Sequence, residues 1–118
     1  MNFKSRIRNK NEAAKKKPEF SFIQDGRTAM TRRFVLKGQV SAEEAAVIEQ
    51  TLERARQTCG QIIINMSLVS MFSSAGIRAI LSVYKKMKRT GGELKIENPS
   101  ENVRNVIGMT ALDELLIK

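Results

Sequence analysis

The chain has 118 residues, 42% of them hydrophobic and 28% charged, with a formal net charge of +9. That is room for one domain around one core, not for two catalytic domains. It has no histidine and a single cysteine, Cys59, which excludes imidazole general-base chemistry, most zinc sites and an internal disulfide.

The charge is uneven along the chain. Residues 1–17 hold seven basic side chains (Lys4, Arg6, Arg8, Lys10, Lys15, Lys16, Lys17) and one acid, Glu12. Beyond Met1, only Phe3 and Ile7 are large and apolar there. Such a segment repels itself and has no face to bury, so residues 1–18 read as a disordered basic arm that Pro18 helps to end, and residues 19–118 as the folded domain. The arm reads either as a solubilising tail or as an electrostatic contact for nucleic acid or an anionic membrane surface. No aromatic interleaving or groove-reading helix accompanies it, so direct sequence-specific nucleic-acid binding is not expected. No apolar run is long enough to span a bilayer or to form a secretory signal. A reducing cytoplasm is the expected compartment.

Phe20 and Phe22, then Phe34 and Leu36, alternate with polar residues, predicting two strands that flank a turn around Asp25-Gly26. Ser41-Ala-Glu-Glu44 is a capping-box pattern, with Ser41 as N-cap and Glu44 at the third helical position. Ala45, Ile48, Leu52 and Ala55 follow at helical spacing, up to a stop near Cys59-Gly60. Gln61 to Met66 reads as a short strand buried on both faces, with a loop after it. Ile77, Ile80, Leu81, Tyr84 and Met87 mark a second amphipathic helix ending before Gly91-Gly92, and Leu94-Lys-Ile96 another strand. Asn98-Pro-Ser-Glu101 starts a helix carrying Val103, Val106 and Ile107, and a last helical turn carries Leu112, Leu115 and Leu116. The order β-β-α-β-α-β-α-α predicts an α/β domain: a mixed sheet, its later strands parallel through right-handed crossovers, with helices mainly on one face.

Signals for catalysis are poor, and an enzyme, a metal site and a cofactor are not expected. Glu43, Glu49 and Glu53 fall on a solvated helix face, Gly91-Gly92 reads as a helix C-cap, and Cys59 as an inert boundary thiol. The segment Met71-Phe-Ser-Ser-Ala-Gly76 differs, because small hydroxyl residues and a glycine open the second helix. Two readings are open: Ser73 or Ser74 simply caps the helix, or one of them accepts a phosphate that the helix dipole would favour.

Several stretches together resemble the STAS domain of bacterial anti-sigma-factor antagonists: Leu36-Lys-Gly-Gln-Val40, Ile63-Ile-Asn-Met-Ser67, Val69-Ser-Met-Phe-Ser-Ser-Ala-Gly76, Tyr84-Lys85, Gly91-Gly-Glu-Leu94, Asn98-Pro-Ser100 with Val103, and Thr110-Ala-Leu112. The likeness runs from about Phe20 to Leu116 and leaves out the basic arm. It implies a STAS-like mixed sheet and a regulator that acts by partner switching. In that family the loop Asp-Ser-Ser/Thr-Gly is phosphorylated on its first serine by a partner that is both kinase and anti-sigma factor, and phosphorylation releases that partner. By position, Ser74 matches the phosphoacceptor and Gly76 the glycine. Ser73 stands where the family has aspartate, Ala75 replaces the second hydroxyl residue, and Ser41 replaces an acid that often precedes the first helix. The resemblance thus implies phosphorylation at Ser74 and a partner-binding surface of Gln39, Val40, Ser73, Ser74, Ala75, Gly76 and Arg78, with an anti-sigma factor/serine kinase as partner. The alternative is a STAS subunit of a transport or signalling complex that is not phosphorylated and acts as a protein-interaction module, with Ser74 only capping its helix.

Overall fold

The computed structural model describes residues 20–116, so the expectations for residues 1–18 lie outside the described residues. Four strands form one sheet in the order β1-β2-β3-β4: β1 (Ser21–Arg27), β2 (Thr31–Val40), β3 (Gln61–Phe72) and β4 (Glu93–Glu97). β1 is antiparallel to β2, while β2, β3 and β4 run parallel. The helices are α1 (Ala42–Arg56) between β2 and β3, α2 (Ser74–Arg89) between β3 and β4, and α3 (Glu101–Ile107) after β4; a 3-10 turn, Ala111–Leu115, follows. The mixed α/β fold and its element order are therefore those expected from the sequence, with the last helical turn in 3-10 form.

Alternation decides the layers. Phe34 and Leu36 of β2, Ile62, Ile64 and Met66 of β3, and Leu94 and Ile96 of β4 are buried. They share one core with Ala45, Ile48 and Leu52 of α1, Ala79, Ile80, Val83 and Met87 of α2, Val103 and Ile107 of α3, and Leu112 and Leu115. Leu81 and Tyr84 pack against this core while half-buried. Their intervening neighbours on β2 and β3, Val35 and Ile63, are only half-buried. The β3 strand thus buries one face, not two; parallel neighbours cover its edges, but the helices lie on a single side.

Two further departures come from local hydrogen bonding. Asp25-Gly26 lies inside β1, where the register shifts between Gln24 and Gly26, and the chain reverses at 28–30 instead. There the Thr28 hydroxyl accepts from the Thr31 backbone N–H at 3.1 Å, and Thr28 N–H reaches the Thr31 carbonyl at 2.9 Å. The bulge absorbs the extra residue that made a tight hairpin impossible.

The β3 strand also continues to Phe72 where a loop was expected. Val35 pairs with Asn65 but Lys37 with Leu68, and Gly38 with Val69 but Gln39 with Met71, so β3 carries two extra residues opposite β2. Asn65 Oδ1 holds the first irregularity, accepting from Ser67 N–H at 2.9 Å and from its hydroxyl at 2.8 Å. Gly38, at φ 98°, supplies the left-handed backbone opposite the second. The start of α3 ties down the same stretch: the Ser100 hydroxyl donates to the Val69 carbonyl at 2.7 Å and Asn102 Nδ2 to the Ser70 carbonyl at 2.9 Å.

Candidate functional site

The parallel strands β2 and β3 end together, Val40 opposite Phe72, and each runs directly into a helix. The starts of α1 and α2 therefore stand side by side. Ser73 N–H donates to the Val40 carbonyl at 3.0 Å, extending the sheet ladder by one bond into the loop. At the start of α1, Glu44 accepts from Ser41 N–H at 3.1 Å and from its hydroxyl at 2.5 Å. The expected capping box is thus present at the start of α1, and the Ser73–Gly76 loop itself holds no acid.

Ser73 is the N-cap of α2. Its Oγ accepts from Gly76 N–H at 3.4 Å, and its carbonyl takes Ile77 N–H at 3.1 Å. Capping in this loop accordingly falls to Ser73. Ser74 is the first helical residue, is exposed, and its hydroxyl has no hydrogen-bond partner among the described residues.

What fixes that presentation is the packing behind it. A Cβ at Gly76 would lie 2.9 Å from Phe72 Cε1 and 2.9 Å from Val40 Cγ1, where carbon contacts normally sit near 3.5–4.0 Å. Only hydrogen fits, so the helix start presses against the ends of β2 and β3 and turns Ser74 outward.

Of the seven docking residues expected from the sequence, Ser74 and Arg78 are exposed, Gln39, Ser73 and Ala75 are half-buried, and Gly76 and Val40 are buried. Val40 is 0% exposed. It faces the core because β2 alternates, so it lies beneath the surface that the exposed residues form. Two surface residues escaped the sequence reading. Leu68 and Met71, 55% and 41% exposed, lie on the bulged end of β3 opposite Lys37 and Gln39. Met71 falls out of phase with the buried Ile62, Ile64 and Met66, whereas Leu68 is in phase with them and is exposed only because of the irregularity after Asn65.

Beside the loop a cleft of about 380 Å³ runs between the two helices, with Ala42, Ala46 and Glu49 on the α1 wall and Ala75, Arg78 and Ser82 on the α2 wall. Its small side chains leave room for a partner group next to Ser74. A strap closes the two helices further along: Glu53 of α1, read from the sequence as merely solvated, pairs with Lys86 of α2 at 2.8 Å and with Arg56 at 2.9 Å. These bonds, Lys86 foremost, hold the Glu53 carboxyl below the usual carboxylate range. On the opposite face of the sheet Arg33 grips Glu97 through both guanidinium nitrogens, which likewise lowers the Glu97 carboxyl. Neither ion pair adjoins the loop, so both are structural.

Cys59 is half-buried, with its thiol donating to the Ala55 carbonyl at 3.1 Å. Among the described residues no group of three Cys, Asp or Glu side chains could hold a metal ion, and no helix is long and apolar enough to cross a membrane.

A family model described as STAS domain matches residues 27–118. The anti-sigma-B factor antagonist of Bacillus subtilis (strain 168) is 26% identical over 81 residues, covering 69% of this chain and 74% of that protein. Among solved structures, the anti-sigma factor antagonist SpoIIAA in its unphosphorylated form superposes with a TM-score of 0.75 at 22% identity, over 82% of this chain and 86% of that one. The Bacillus cell fate determinant SpoIIAA in its phosphorylated form superposes with a TM-score of 0.70 at 21% identity, over 82% and 89%. With the family model spanning most of its length and its fold shared with these antagonists, this chain belongs to the STAS domain family.

Proposed function

We propose that this protein is a non-enzymatic, cytoplasmic regulator of the anti-sigma-factor antagonist type, which binds an anti-sigma factor/serine kinase and is switched by phosphorylation of Ser74. In this reading residues 19–118 form the switching domain, and residues 1–18 are a basic arm that adds affinity for anions. The observation that carries the proposal is the division of labour in the loop. Ser73 caps α2, while Ser74 is exposed with no hydrogen bond among the described residues to give up, on a helix start wedged by Gly76. A phosphate there would add roughly two negative charges. It would meet the N–H groups at the start of a 16-residue helix whose first turn holds no acid. The domain stays folded and the change falls on the docking face, where Gln39, Ala75 and Arg78 surround Ser74.

The test is a pull-down with intact-mass measurement, pairing wild type, Ser74→Ala and Ser74→Glu with each candidate serine kinase/anti-sigma factor of the source genome. Wild type gains one phosphate and loses affinity. Ser74→Ala binds but stays unmodified, and Ser74→Glu binds more weakly by about 1–3 kcal/mol, as for a charge mismatch at an interface. Phosphate at another residue, or a Ser74→Glu variant that binds like wild type, removes the switch. The alternative is then favoured: a STAS subunit of a transport or signalling complex that docks through the same face. The presence of Ser73 where the family carries aspartate is what supports that second reading.

A further inference from the structure

We propose that the exposed face of α2 is a docking stripe for an acidic helical segment of the protein partner, read by Arg78, Lys85 and Arg89. The inference rests on the partner-binding reading above and supplies the chemistry of the partner. The three residues are spaced seven and four apart, which sets them along one face of the helix over about 16 Å. All three are exposed, and none has an ion-pair partner among the described residues. Nearby cations are already engaged, Lys86 by Glu53 and Lys88 over the Tyr84 ring. No acid lies anywhere in the Ser74–Arg89 sequence. A groove of about 330 Å³ follows the stripe, floored in part by half-buried Leu81 and Ser82. Arg78 stands one helical turn from Ser74 and also lines the cleft between α1 and α2, so stripe and loop form one continuous face.

Charge alone would suit any anion, and the surroundings favour a protein. None of the exposed large hydrophobic residues lies on α2, so this face has no wedge to enter a lipid surface. Glu49 stands on the cleft wall facing the Arg78 side. A continuous phosphate backbone would be repelled there, whereas discrete carboxylates on a helix can be placed to avoid it. The alanine-lined cleft offers apolar contacts that a nucleic-acid backbone cannot use.

The probe is an alanine-based helical peptide of about 18 residues with glutamates at matching one-face spacing, titrated into the isotope-labelled full chain and followed by amide shifts and affinity. Two variants with equal change of net charge are compared: Arg78→Glu/Lys85→Glu/Arg89→Glu, and the control Arg27→Glu/Arg54→Glu/Arg104→Glu at exposed sites elsewhere. Circular dichroism shows whether each is folded, and an Arg78→Gln/Lys85→Gln/Arg89→Gln variant replaces the first if it is not. Peptide shifts concentrated on residues 74–89 are expected, with affinity falling about tenfold or more in the stripe variant and within about twofold in the control. The inference is overturned if the shifts map to residues 1–17, if both variants weaken alike, or if phosphatidylglycerol vesicles or duplex DNA bind the stripe more tightly than the peptide. No kinase enters this assay, so a failed stripe and a failed Ser74 switch give different results.

Discussion

Replacing Gly76 by alanine tests the packing that fixes Ser74. The new methyl would lie 2.9 Å from both Phe72 Cε1 and Val40 Cγ1, and 3.2 Å from Phe72 Cδ1. The two contacts at 2.9 Å fall about 0.6–1.1 Å short of ordinary carbon contacts. Phe72 and Val40 are 4% and 0% exposed, so neither can swing into solvent, and Val40 is β-branched and stiff. Overpacking of this kind costs about 1–3 kcal/mol, with these two contacts at the upper end. Alanine in place of glycine in a helix returns at most about 1 kcal/mol. The net destabilisation is about 1–2 kcal/mol, a fall in Tm of about 4–16 °C for a domain of this size. Thermal unfolding by circular dichroism, with Ser74→Ala as the surface control shifting stability by less than about 0.5 kcal/mol, measures it. A Gly76→Ala variant as stable as wild type would show that the helix start is not wedged, and the argument for an outward Ser74 would fall with it.

Ser73→Ala removes the cap at Gly76 N–H and should cost about 1 kcal/mol in denaturant unfolding, against almost nothing for Ser74→Ala; equal losses would contradict the division of labour between the two serines. Acid weakens the fold through Glu53 and Glu97. Both carboxyls are held below the usual carboxylate range in the folded protein, Glu53 chiefly by Lys86 and Glu97 chiefly by Arg33, so the unfolded chain binds more protons in that range. Their contribution is complete above the ordinary carboxylate range and is lost as pH falls through the lower folded values. Urea midpoints should therefore drop on acidification, and less steeply in Glu53→Gln and Glu97→Gln. Ile80→Ala, at a fully buried position on α2, should cost about 2–5 kcal/mol; a small loss would mean that α2 does not face the sheet. Deleting residues 1–17 should leave Tm nearly unchanged while reducing retention on a phosphate-bearing resin; an unfolded truncation would refute the reading of those residues as an arm.

The element order, the helix starts and most of the core were legible in the sequence because they depend on local rules. The Ser41–Glu44 capping box, the Ser100 start of α3 and the helical spacing of Ile48, Leu52, Ile80 and Met87 are set within one or two turns of chain, and each holds in the structure. That the Ser73–Gly76 stretch opens α2 was legible too, from its small hydroxyl residues and glycine. Partners distant in sequence decided the rest. The stretch after Met66, with Ser70 breaking the alternation, reads as a loop, yet the ladder with β2 and the hydrogen bonds from Ser100 and Asn102 at the start of α3 keep it in the strand. Those irregularities expose Leu68, which strict alternation would place in the core beside Met66, and leave Met71 on the surface as well. Nor can a sequence tell which of two adjacent serines caps a helix. That depends on where Val40 and Phe72 press against Gly76, because the backbone angle imposed at the helix start directs one hydroxyl inward and leaves the other to solvent.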